Sequence, residues 1–258
     1  MVQPRLPAHQ PPRLTVNGAI MRDGARLPLF RWLPATPPKA AVIAVRGFND
    51  YAGAFADLGP ALAREGIAAY AYDQRGLGGA PGRGLWAGQA AMSRDLAEVA
   101  GLVQTAHPDI QVRVLGESMG GTVIMAALTA EAHPVIDGAV LSAPAWGPPN
   151  HGPGAEGSAD PTPATVGAVW GARRDRPPAR HLPDALTPAG TRLGSPLADG
   201  ALPDGYHMLF RNLSGDLATR DIAAWPIDPT AALPSGHERQ PDPQTDNPHP
   251  GFCPPPAR

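Results

Sequence analysis

The sequence predicts an α/β domain, built on a mostly parallel sheet with helices on both faces. Short apolar runs alternate with segments of roughly ten to fifteen residues that carry helical spacing, which is the pattern of strand–helix–strand units. Residues 40–146 contain only five of the 34 prolines (Pro60, Pro81, Pro108, Pro134 and Pro144), so long regular elements can form there. Within that segment Gly116-Glu117-Ser118-Met119-Gly120 lies at the junction of an apolar strand and a helix.

An N-terminal hairpin is expected from Leu14 to Met21 and Ala25 to Leu33, turning at Asp23-Gly24. The uninterrupted run Ala41-Val42-Ile43-Ala44-Val45 reads as a strand buried on both faces, ending at Arg46-Gly47-Phe48. A helix from about Ala52 to Glu65 leads into the strand Ile67 to Tyr72, and a second helix spans roughly Gln89 to Thr105. Val112-Arg113-Val114-Leu115 is the strand before Ser118, and the helix after it runs to about Ala132. Gly138 to Leu141 is the next strand.

Beyond 146 the pattern weakens. Thr162 to Trp170 can make one more strand, followed by Gly171-Ala172-Arg173-Arg174-Asp175, and a poorer strand candidate lies near Thr191 to Leu202. Leu209, Leu213, Leu217, Ile222 and Trp225 recur at near-helical spacing, as in a final amphipathic helix. The expected organisation is a disordered N-terminus at 1–12, one domain at 13–226 with an irregular excursion at 146–162, and a proline-rich disordered tail at 227–258.

Composition narrows the function classes. A formal charge of −2 argues against a general nucleic-acid or anionic-membrane surface. Lys39 is the sole lysine among 21 basic residues, a bias that matches GC-rich coding better than a basic patch. Cys253 is the one cysteine, which excludes intrachain disulfides and multi-cysteine metal sites. No apolar run reaches membrane-spanning length, and the start Met1-Val2-Gln3-Pro4-Arg5 lacks the apolar region of a signal peptide, so a cytoplasmic location is expected.

In a G-x-S-x-G nucleophile elbow the serine occupies a strained turn, and the glycines stand where side chains would strike the adjoining strand and helix. Ser118 would then be exposed above the sheet edge at the carboxyl ends of the strands, where ligands of such sheets gather. A serine hydroxyl needs a base, and the base needs an orienting group. Of the eight histidines, His9, His107 and His133 come too early or in turns, His237 and His249 are in the tail, and His151 and His181 lie among prolines. His207, in a turn before the final helix, is the candidate base. Asp175, after a candidate strand, is the candidate acid that would hold the imidazole in the useful tautomer. Asp184 and Asp199 compete less well, and Asp204 fits a role in the Asp204-Gly205 turn. The backbone N–H groups of Met119 and of Phe48, in the loop after the early strand, are the expected oxyanion donors.

Taken in order, several motifs resemble the α/β-hydrolase superfamily in its monoacylglycerol lipase and lysophospholipase branch. They are Arg46-Gly47-Phe48-Asn49-Asp50-Tyr51, Tyr72-Asp73-Gln74-Arg75-Gly76, Gly116 to Gly121, Ser142-Ala143-Pro144-Ala145 and Asp204 to Leu209. The resemblance implies an α/β-hydrolase fold with a reduced or missing cap, Ser118 as nucleophile, His207 as base, and Phe48 and Met119 as oxyanion donors. It implies a serine esterase acting on a small-molecule ester or lipid substrate, with no cofactor and no metal. The chain departs from the family at three places. Arg46 replaces the usual histidine, an ungapped alignment puts Arg174 rather than Asp175 at the acid, and 147–163 has too little apolar sequence for the usual helical cap. These departures motivate the alternative of a degenerate, non-catalytic protein of the same fold.

Overall fold

The computed structural model describes residues 10–130, 134–142, 165–170, 200–201, 210, 215–228 and 231–236. Strands β1 (Arg13–Thr15), β2 (Gly18–Ile20), β3 (Arg26–Trp32), β4 (Ala40–Val45), β5 (Ile67–Tyr72), β6 (Gln111–Glu117), β7 (Gly138–Ser142), β8 (Thr165–Trp170) and β9 (Gly200–Ala201) form one sheet. Its order is β1-β2-β3-β5-β4-β6-β7-β8-β9. The helices are α1 (Leu58–Arg64), α2 (Gln89–Ala106), α3 (Met119–Thr129) and α4 (Gly215–Ala224), with a 3-10 turn at Ala52–Phe55.

The centre of the sheet is parallel: β4 pairs with β5 on one side and β6 on the other, and β6 pairs with β7. These strands read as continuous apolar runs because both their faces are covered. On one face Ile43, Tyr70, Val114 and Ala139 pack with Leu96 and Val99 of α2 and Ile124 of α3. On the other face Val42, Ala44, Leu115 and Val140 meet Phe55, Leu58 and Leu62, and Ile222 of α4. In α2 the buried Met92, Leu96, Val99, Ala100 and Val103 keep a helical stripe, each large side chain contributing about 1.5–3 kcal/mol on burial.

The Asp23-Gly24 turn forms as expected, with Met21 N–H donating to Ala25 O at 2.8 Å and Ala25 N–H to the Asp23 carboxylate at 3.0 Å. The expected first strand is instead two, folded at Val16-Asn17 so that Thr15 faces Gly18. Val16 is 85% exposed, so no burial opposes the turn. The expected helix 52–65 is divided between the 3-10 turn and α1. Pro60 falls in the first turn of α1, where a missing N–H costs nothing. The further strand expected within 162–170 forms as β8, which runs antiparallel to β7 with Ser142 opposite Val166 and Ala139 opposite Trp170. The expected lid excursion at 146–162, Leu209 and Leu213 lie outside the described residues.

The carboxyl-terminal helix is fastened to the central strand by a buried cation. Arg113 of β6 donates through Nη1 to Pro226 O at 2.5 Å, and its guanidinium lies 5.1 Å from the Trp225 ring centroid. Among the described residues no helix is long and apolar enough to cross a membrane.

On β5, Tyr70 Oη lies 2.8 Å from His107 Nε2, and burial holds the His107 imidazole below its ordinary value of about 6.5. The folded state therefore disfavours the protonated ring. Its contribution to stability is full above about pH 6.5, where the unfolded chain is also neutral, and is lost as pH falls through the lowered folded value. Thermal melts from pH 7.5 to pH 5 are expected to fall more steeply for the native chain than for His107→Gln. Equal slopes would assign the acid sensitivity to other groups.

Candidate active site

The turn between β6 and α3 has a backbone that only close packing can hold. Ser118 sits at φ 54°, ψ −121°, outside the regions that L-residues favour, at a cost of about 1–3 kcal/mol. Its N–H donates to Ser142 O at the end of β7 at 2.9 Å, and its carbonyl accepts from Gly121 N–H at 3.0 Å, so both sides of the peptide are tied. The flanking glycines answer to different neighbours. A β-carbon on Gly120 would stand 2.1 Å from Val45 O, and one on Gly116 would stand 2.6 Å from the Gly121 backbone. From the third side, a β-carbon on Gly47 would be 2.9 Å from Ser118 Cβ and 3.4 Å from its Oγ. The loop after β4 thus lies directly against the serine.

That loop is held by charges. The Arg46 guanidinium, only 2% exposed, reaches the fully buried Glu117 carboxylate through Nη1 and Asp50 Oδ2 through Nη2 at 2.9 Å. It also lies 4.6 Å from the Phe55 ring centroid. Glu117 is the residue immediately before the serine, so this ion pair joins the loop to the elbow. The Arg46 carbonyl accepts from Gln74 Nε2 at 2.7 Å. Asp73 spans the neighbouring turns, accepting from Ala52 N–H at 2.7 Å and Gly79 N–H at 2.8 Å. Arg75 binds Asp95 of α2 through two bonds of 2.6 and 2.8 Å and reaches Asp23 of the hairpin turn at 2.7 Å. The hydrogen bond from Arg75 holds the Asp23 carboxyl below its usual range, whereas burial pushes that of Asp95 up.

A cavity of about 300 Å³ opens beside the elbow, lined by the oxyanion candidates Phe48 and Met119 together with Leu85, Trp86, Met92 and Arg83. The structure thus brings Ser118, Phe48 and Met119 to one place. Asp175 and His207 lie outside the described residues. Sequence reasoning missed the Arg46–Glu117 pair and the Asp73, Gln74 and Arg75 contacts. The signal was the adjacency of Glu117 to Ser118 and of Arg46 to Gly47, but side-chain pairing over 71 positions is visible only once β4 and β6 lie in register.

Removing one partner of a buried ion pair strands the other, at a cost of about 3–5 kcal/mol. Arg46→Ala is expected to lose that amount in urea unfolding, and Arg46→Met combined with Glu117→Leu to recover most of it. A loss under about 1 kcal/mol for Arg46→Ala would mean that Glu117 has another source of compensation.

Comparisons with known proteins agree on this region. The chain is 30% identical over 110 residues to the monoacylglycerol lipase of Mycolicibacterium smegmatis, covering 40% of this chain and 37% of that one. It is 29% identical over 143 residues to the monoglyceride lipase of Rattus norvegicus, covering 55% and 46%. Less than half the length of either relative is thus matched. Among solved structures, a thermostable carboxyl esterase from Bacillus coagulans aligns over 51% of this chain and 43% of its own, with a TM-score of 0.43 and 18% identity. Residues 36–176 match the family described as serine aminopeptidase, S33, and the chain belongs to that family of α/β-hydrolases.

Proposed function

We propose that this chain is a serine esterase that cleaves carboxylic esters through a Ser118–His207–Asp175 triad. The observation that carries the reading is the strained Ser118 backbone, held with the loop after β4 against it and a cavity of apolar and cationic side chains alongside. Backbone strain maintained by packing from three sides is the mark of a site where position matters more than stability.

In the proposed reaction Ser118 Oγ attacks the ester carbonyl while His207 takes its proton. The oxygen that becomes negative accepts hydrogen bonds from the N–H groups of Phe48 and Met119. His207 returns the proton to the departing alcohol, and water then attacks the acyl-serine with His207 again as base. Asp175 orients the imidazole and stabilises its protonated form. Because β8 runs away from the elbow, its end at Trp170 lies beside Ala139, and the five residues to Asp175 can span at most about 17 Å on the return.

Monoacylglycerols and lysophospholipids are the substrate classes that the resemblance suggests, and the named relatives are glyceride lipases. A peptidase acting at a free amino terminus would need a carboxylate to bind the ammonium group. The described residues lining the cavity include two arginines and no acid, which favours an ester. A cavity near the lower end of the roughly 300–1,000 Å³ range for small-ligand sites favours short acyl groups.

A fluorophosphonate probe is expected to label Ser118, located by mass spectrometry, and to leave Ser118→Ala unmodified. Folded protein that takes no label would remove the esterase reading and leave a non-catalytic member of the fold. With short-chain p-nitrophenyl esters, Asp175→Asn is expected to lose about ten-thousand-fold in kcat. An unchanged rate would move the acid to Asp184 or Asp199.

A further inference from the structure

We propose that the cavity beside Ser118 selects esters carrying an anionic group, with Arg83 holding the anion. This rests on the esterase reading for its chemistry, but the binding site can be tested without it. The lining has two parts. Phe48, Leu85, Trp86, Met92 and Met119 make an apolar wall, and Arg75 and Arg83 supply the charge. The two arginines are not equivalent.

Arg75 is committed to Asp95 and Asp23, so its charge is met twice within the fold. Among the described residues Arg83 has no hydrogen bond or ion pair, and none of those lining the cavity is a carboxylate that would compete for it. Its loop is also pinned. Gly76 N–H donates to Pro81 O at 2.9 Å, Gly84 N–H to Gly76 O at 2.9 Å, and Leu85 N–H to Gly82 O at 2.8 Å. These bonds place Arg83 on a braced turn at the cavity wall.

A guanidinium offers a planar fork of donors that matches a carboxylate or phosphate. Against an apolar wall it recognises one kind of molecule, a short amphiphile with an acidic end. A neutral glyceride would leave Arg83 facing water, at no gain. An ester bearing a phosphate or carboxylate would pair the charge and cover Leu85 and Trp86, which are 72% and 60% exposed.

The test compares p-nitrophenyl hydrogen glutarate with its neutral methyl ester, two substrates of nearly equal size that differ in one charge. The native chain is expected to favour the acid in kcat/KM, and Arg83→Gln to lower the acid-to-neutral ratio of kcat/KM roughly tenfold. Arg83→Glu should reverse the preference. Binding is followed separately in Ser118→Ala, through fluorescence that Trp86→Phe removes, using hexyl phosphate, 1-hexanol and inorganic phosphate. Hexyl phosphate is expected to bind more tightly than the other two, and Arg83→Gln to abolish the difference.

If Ser118 takes no fluorophosphonate while the Ser118→Ala binding pattern holds, the esterase reading fails and the anion site stands. If the esters are hydrolysed but Arg83→Gln leaves the acid-to-neutral ratio unchanged, the proposal is overturned. Inorganic phosphate binding as tightly as hexyl phosphate would also overturn it, by assigning the site to a free anion.

Discussion

Three stretches of backbone meet at Ser118 with no room for a β-carbon between them. The end of β4 lies against Gly120, the first turn of α3 against Gly116, and the loop at Gly47 against the serine itself. This contact depends on the parallel register of β4 and β6, in which Val45 stands opposite Gly116. Slipping the pairing by one residue would send every buried side chain of β6 to the other face of the sheet. The elbow and the two apolar cores therefore stand or fall together, and strain at one residue is held by the packing of the whole centre.

The same junction carries a buried ion pair. Arg46 and Glu117 are both withdrawn from water, and such a pair is weak evidence for stability because desolvation offsets its attraction. Its value lies in direction. A guanidinium that must satisfy Glu117 and Asp50 cannot let the loop after β4 drift, and Gln74 holds the carbonyl of the same residue. The arginine that departs from the family pattern has thus become the joint between the loop and the elbow. Asp73 and Arg75 extend the bracing outward to the 3-10 turn, the hairpin and α2.

Away from the elbow the structure loses this density of constraint. A groove of about 540 Å³ between α1 and α4, with Arg64, Glu65, Asp216, Thr219 and Arg220 on its walls, is larger than the cavity at Ser118, yet none of these residues has the positive φ that marks Ser118. Size alone does not mark the chemistry here. Arg113 ties α4 to β6 through Pro226 and Trp225, so the carboxyl-terminal part of the fold is anchored at its helix rather than at an added parallel strand.

The sequence by itself determined the alternation of strands and helices, the buried centre and the elbow, because these follow from local rules. Continuous apolar runs at 41–45 and 67–72 require cover on both faces, the helical stripe of α2 requires one, and glycines around Ser118 permit a turn other residues cannot enter. It also marked Phe48 and Met119 as neighbours of Ser118, since both follow from where their strands end. The sequence did not determine the split hairpin at Val16-Asn17, the break before α1, or the direction of β8. Each of those reflects competition between local preference and the space that the rest of the fold leaves. The partners of Arg46, Gln74 and Arg75 were decided only by tertiary structure. A charge pair has no periodicity, and its two members become neighbours only when the register of the sheet sets them a few ångströms apart.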